Sequence, residues 1–223
     1  MKKRPILTLI VMLLLPGVLY SQSVTQHTGP ATQLHRITPH DPQSLQALFR
    51  YTGDPLPLVS AHRGGPQPKY PENCIATFQN TLQHTFAILE IDPRYTKDGA
   101  IVVLHDATLQ RTTTGSGPVA ERTLAELRAL RLKDTVGSVT DFQIPTLDEV
   151  LQWARGKTIL VLDQKTVPVA ARVRKIEEHR AESYAMLIVY SFKDAQACYA
   201  LNKNIMMEVM IPNRDKFQQF DKT

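Results

Sequence analysis

Leu58-Val59-Ser60-Ala61-His62-Arg63-Gly64-Gly65 is a short apolar run that ends in a histidine, an arginine and two glycines. The pattern recurs. Phe86-Ala87-Ile88-Leu89-Glu90-Ile91-Asp92 closes on two carboxylates, Ala100-Ile101-Val102-Val103-Leu104 on His105-Asp106, and Thr158-Ile159-Leu160-Val161-Leu162 on Asp163. Such runs read as buried strands. Charged groups at their ends are costly to bury without partners. The cheapest physical account is one shared site that binds a metal and an anion.

Helical signals fill the gaps. Ile75, Phe78 and Leu82 follow Pro71-Glu72-Asn73 at helical spacing. Thr123 to Glu126 and Thr146 to Glu149 are capping boxes, the second opening a helix through Trp153. A basic amphipathic helix spans roughly 167–179, a strand 185–190, a helix 194–201 and a further strand 205–210. Lys97-Asp98-Gly99 reads as a turn. Strands apolar on both faces, alternating with helices, indicate a parallel sheet covered by helices.

The N-terminus reads as a secretory signal over 1–21, with Lys2, Lys3 and Arg4 before an apolar stretch and Ser21 before the cleavage point. The run is too short and interrupted for a comfortable transmembrane helix. Cysteine is absent there, which disfavours a lipid anchor. Removing those three cations brings the net charge of +5 closer to balance. No basic stripe interleaved with aromatics appears, so a nucleic-acid partner is not expected. An exported chain permits a disulfide, but the sequence does not place Cys74 and Cys198 within bonding range. Residues 22–57 form a polar lead-in with one short helix capped by Asp41. Residues 58–223 are expected to form the functional domain.

Glu90 and Asp92 stand two apart on a strand and so project to one face. Two such carboxylates repel unless a cation or proton intervenes. Oxygen ligands suit Mg²⁺ or Ca²⁺, and no Cys/His cluster is spaced for zinc. His62 and His105 suit proton transfer near neutral pH. The alternative for either is a core histidine bonded to backbone. Arg63 presents a planar fork that fits a phosphate, or else a structural ion pair with Glu72 or Asp92. Gly64-Gly65 permits close approach of the loop to a ligand. Glu72 and Asn73 are read as supporting that loop or the metal shell. Lys165 shares a face with Asp163. His27, His35, His40, His84 and His179 are read as surface residues. Arg111 to Gly117 does not run from strand into helix as a phosphate loop does, and reads as an excursion after the third strand.

The ordered set His62-Arg63-Gly64, Pro71-Glu72-Asn73, Glu90-x-Asp92, Asp98-Gly99, His105-Asp106, Arg111-Thr112-Thr113-x-Gly115-x-Gly117 and Ile144-Pro145-Thr146-Leu147-x-Glu149-Val150 resembles the glycerophosphodiester phosphodiesterase family. The resemblance implies a TIM-type (β/α) barrel with catalytic groups at the C-terminal ends of strands. It also implies a divalent cation on Glu90, Asp92 and Asp163, where family members usually carry Glu at the last position. His62 and His105 become the general acid and base, and Arg63 and Lys165 the phosphate-binding cations. The substrate becomes a small glycerophosphodiester, hydrolysed to an alcohol and glycerol 3-phosphate. About six strands are countable against the eight of a full barrel, and the family's late tryptophan-containing strand is missing. The barrel is therefore expected to be truncated, with open edges prone to self-association. Two alternatives remain: an inactive or weakly ligand-binding barrel remnant, and a related phospholipase C-like phosphodiesterase.

Overall fold

The computed structural model describes residues 33–53 and 57–211. The expected signal segment and the start of the lead-in lie outside them. Among the described residues the strands are β1 (Val59–Ala61), β2 (Ala87–Ile91), β3 (Pro93–Tyr95), β4 (Ile101–Val103), β5 (Leu160–Leu162), β6 (Ala185–Val189) and β7 (Met207–Val209). The α-helices are α1 (Pro42–Leu48), α2 (Ile75–His84), α3 (Leu124–Arg128), α4 (Leu147–Ala154), α5 (Val169–Glu178) and α6 (Phe192–Leu201). Five strands make one parallel sheet in the order β1-β2-β5-β6-β7. It curls into a half-barrel.

The run Ala100–Leu104 is not a third strand of that sheet. Its core, β4, pairs antiparallel with β3 in a separate two-stranded ribbon. The reason is local. Pro93 opens β3, where its missing N–H is tolerated, and Asp98-Gly99 reverses the chain with Gly99 at φ 79°. β2 and β5 then pair directly, so Leu89 faces Leu160 and Ile91 faces Leu162. The residues from His105 to Pro145 form an excursion with its own core of Leu109, Val119, Leu127, Leu132 and Ile144, packed on Val102 and Leu104. Arg111 to Gly117 lies within it, as expected.

Strand alternation divides the remaining apolar residues between two faces. The outer set, including Leu89, Ile91, Leu160, Leu162, Leu187 and Val189, packs on α2, α4, α5 and α6 through Phe78, Val150, Leu151, Val173, Ile176 and Cys198. The inner set is Ile88, Val161, Met186 and Ile188. Leu45 of α1 is fully buried against it, with Ile37 and Phe49 alongside. α1 forms as the sequence suggests: Asp41 Oδ1 accepts from Ser44 N–H at 2.6 Å, and Pro42 fills the first turn. Before the helix, the His35 N–H donates to Leu82 O at 2.7 Å and the Ile37 N–H to Lys157 O at 3.0 Å. The lead-in is thus docked into the sheet's concave face.

Both later capping boxes are present, at Thr123 and Thr146. Cys74 and Cys198 are free and buried. His179 departs from its surface reading: it is partly buried, with Nε2 at 2.7 Å from Asp148 Oδ1. Lys175 meets the same carboxylate, so the two basic groups tie α5 to α4.

Candidate active site

The C-terminal ends of β1, β2, β5 and β6 deliver His62, Asp92, Asp163 and Tyr190 to one rim. β1 passes straight into a single tight turn, His62–Gly64, with Arg63 left-handed at φ 53°. Such a conformation costs a non-glycine residue of order 1–3 kcal/mol and recurs at functional sites. Gly64 at φ 83° is obligatory, since a Cβ there would lie 2.2 Å from the Phe78 ring. The turn aims the Arg63 N–H at Glu90 Oε2, at 2.7 Å.

Glu90, Asp92 and Asp163 are all buried, and one oxygen of each lies within 4.8 Å of the others. The cluster can hold a metal ion. Burial, followed by the charges of Asp92 and Asp163, pushes the Glu90 carboxyl up to about 7. Asp92 is oriented by Asn73, whose Nδ2 donates to Oδ2 at 2.7 Å while its Oδ1 accepts the Asp92 N–H at 3.1 Å. Lys165 Nζ stands 3.2 Å from Asp92 Oδ1 and 2.5 Å from Asp163 Oδ2. Burial alone would raise Asp163, but Lys165, Tyr190 and the Gln164 N–H outweigh it and hold the acid down. Asp92 Oδ1 is buried, with the Lys165 ammonium as its ionic partner and no hydrogen bond of its own. Three converging buried carboxylates, one of them driven toward protonation, suit a hard divalent cation.

A second cluster lies beside the first. Arg111 donates to both oxygens of Glu72, at 2.9 and 2.8 Å, and to both of Asp106, at 2.6 and 2.7 Å. Arg63 Nη1 meets Glu72 Oε2 at 3.1 Å. Burial pushes Glu72 up, but the two guanidiniums more than reverse it. Arg111 first, and His105 after it, hold Asp106 far below the usual carboxylate range. Asp106 Oδ1 lies 2.8 Å from His105 Nδ1. An ionised Asp106 fixes the proton on Nδ1 and leaves Nε2 free to exchange one. His62 is open, its side chain 73% exposed and its Nε2 at 4.0 Å from Glu90 Oε2.

The match that decides identity spans residues 62–213, which align with the glycerophosphoryl diester phosphodiesterase family. The chain belongs to this family. A glycerophosphodiester phosphodiesterase of Caldanaerobacter subterraneus is 41% identical over 105 residues, covering 47% of this chain and 43% of the relative. The chain thus spans under half the length of that relative. A crystal structure of a glycerophosphoryl diester phosphodiesterase from Parabacteroides distasonis is 42% identical with a TM-score of 0.83, covering 85% of this chain and 67% of that one. An Oleispira antarctica phosphodiesterase, solved with the product sn-glycerol-3-phosphate, is 25% identical with a TM-score of 0.60 over 75% of this chain and 72% of its own. These phosphodiesterases are TIM barrels, and the half-barrel here is part of that fold.

Every site residue read from the sequence falls on this rim. Glu90, Asp92, Asp163 and Lys165 form one cluster, with Asn73 behind Asp92. Glu72, Arg63, His105 and Asp106 form the other, and the structure realises the Arg63–Glu72 ion pair that the sequence left open. Three residues escaped the sequence reading. Arg111 stands in the sequence as part of a motif and a loop, with no side-chain role of its own. Arg94 of β3 donates to the carbonyls of Leu104, at 3.1 Å, and His105, at 2.8 and 2.5 Å, fixing where His105 leaves β4. Tyr190 Oη donates to Asp163 Oδ1 at 2.6 Å. Two of the three carry a signal in strand alternation: Arg94 is two beyond Asp92, and Tyr190 two beyond Ile188.

Proposed function

We propose that the protein is an exported, divalent-cation-dependent hydrolase that cleaves glycerophosphodiesters to an alcohol and glycerol 3-phosphate. The observation that carries this is the adjacency, on one rim, of a cation-ready carboxylate cluster and two differently held histidines. The product seen in the Oleispira relative supports the substrate class. Glu90, Asp92 and Asp163 would hold Mg²⁺ or Ca²⁺. Bound there, the cation would polarise the phosphoryl group as a Lewis acid.

The chain's own groups do the rest. Arg63 and Lys165 supply positive charge for the phosphate. His105, oriented by Asp106, exchanges a proton through Nε2. His62, in the open mouth, is placed for the opposite transfer. One histidine takes a proton as water, or first the neighbouring glycerol hydroxyl, attacks phosphorus. The other donates a proton as the P–O bond to the alcohol breaks. The test is hydrolysis of a panel of glycerophosphodiesters with and without chelator. Chelator-sensitive release of glycerol 3-phosphate is expected. Cation-independent turnover, or none on any diester, would overturn the reading.

Export rests on the leader pattern at 1–21, and intact-mass analysis of the secreted product checks it. Self-association rests on β1 and β7, the edge strands among the described residues. Size-exclusion chromatography at several concentrations decides that point.

A further inference from the structure

We propose that Tyr190 is a positioning residue that holds the Asp163 carboxylate with a single oxygen toward the cation. The inference rests on the cation site proposed above and adds to it a residue the motifs do not contain.

Tyr190 directly follows β6, two residues beyond the inward-facing Ile188, and so shares its face of the sheet. β6 is hydrogen-bonded to β5, with Leu162 opposite Leu187. This register brings the phenol across to Asp163. Asp163 Oδ1 then has two donors: Tyr190 Oη at 2.6 Å and its neighbour's Gln164 N–H at 2.7 Å. Oδ2 has one, Lys165 Nζ, which also stands 3.2 Å from Asp92 Oδ1. Rotating the carboxylate plane away from this setting about Cβ–Cγ would break both bonds to Oδ1. Asp163 is therefore locked with Oδ2 alone on the Asp92 side, a single-oxygen ligand.

Packing does not explain the tyrosine. The residue is 52% exposed, so its ring gains little from burial. The hydrogen bond to Asp163 is what distinguishes it from a surface aromatic. Partners that orient a ligating carboxylate typically contribute 10–100-fold to metal affinity.

The experiment titrates wild type, Tyr190→Phe, Asp163→Asn and the double variant with Mn²⁺ by calorimetry, without substrate. Tyr190→Phe removes one oxygen from a half-exposed ring, and its cooperative melting without cation verifies the fold. Binding by Tyr190→Phe is expected to be about 10–100-fold weaker, by Asp163→Asn at least as weak, and by the double variant no weaker than Asp163→Asn. Non-additivity is the mark of two residues serving one function. Wild-type affinity in Tyr190→Phe, with affinity lost in Asp163→Asn, overturns the role of Tyr190 and leaves the cation site standing. Further weakening in the double variant also overturns it, because Tyr190 would then act elsewhere. No Mn²⁺ binding by wild type, or equal binding by Asp163→Asn, overturns both the inference and the site beneath it.

Discussion

Glu72 and Asp106 pair with two guanidiniums between them, whereas in the cluster of Glu90, Asp92 and Asp163 one ammonium pairs with the two aspartates. The two clusters sit side by side and are built from the same chemistry. In the first, Arg63 and Arg111 hold the acids ionised and immobile. In the second, positive charge is scarce, and burial with neighbouring carboxylates drives Glu90 up to about 7. The first cluster is closed on itself and holds His105 in one orientation. The second is left short of charge, which is the condition for taking up a cation. The number of cations per carboxylate, more than the number of carboxylates, sets the two clusters apart.

The largest effects should fall on the histidines that flank these clusters. His105→Ala and His62→Ala are each expected to lower kcat by roughly 10²–10⁴-fold. In steady-state kinetics the combined loss should be less than the product of the single losses if both serve one step. A wild-type rate in either variant removes that histidine from the chemistry.

Glu90→Gln tests the charge-poor cluster. It should raise the melting temperature of the cation-free protein, by removing one of three repelling acids. It should also abolish the cation-linked gain, worth about 2.7 kcal/mol at a hundredfold excess over Kd. Thermal unfolding with and without Mg²⁺ or Ca²⁺ measures both. A variant that keeps the full gain would show that cation scarcity does not define the site.

Arg111→Met tests the charge-rich cluster and should do the reverse. It leaves Glu72 and Asp106 under-compensated. The expected cost is about 1–2 kcal/mol, because Arg111 is half exposed and water screens the loss. Mn²⁺ affinity should stay near wild type. A large fall in affinity would mean that the two clusters act as one.

Much of this was legible in the sequence, for identifiable reasons. Glu90, Asp92, His105 and Asp163 close apolar runs, and a buried strand advertises its end by the first charge. The capping boxes at Thr123 and Thr146 are local signals, and both hold. The run at Ala100–Leu104 was legible as a strand but not as a ribbon partner of β3, because apolar content does not say what a strand pairs with. Arg111 and Tyr190 act across 39 and 27 residues of chain. Only the folded register brings them to Glu72 and Asp163. His179 looked like any basic-helix surface residue until α4 set Asp148 beside it.

The docking of α1 has a practical corollary for where this protein may be cut. The family match begins at His62, yet Leu45, with Ile37 and Phe49, covers Ile88, Val161, Met186 and Ile188. Trimming to that match would unroof that patch. Each fully buried side chain of this kind contributes about 1.5–3 kcal/mol, against a total stability of only about 5–15 kcal/mol. The limits of the family match and of cooperative folding are here two different addresses in the chain. An expression series stepped between Gln33 and Leu58 should find its solubility cliff on the far side of α1.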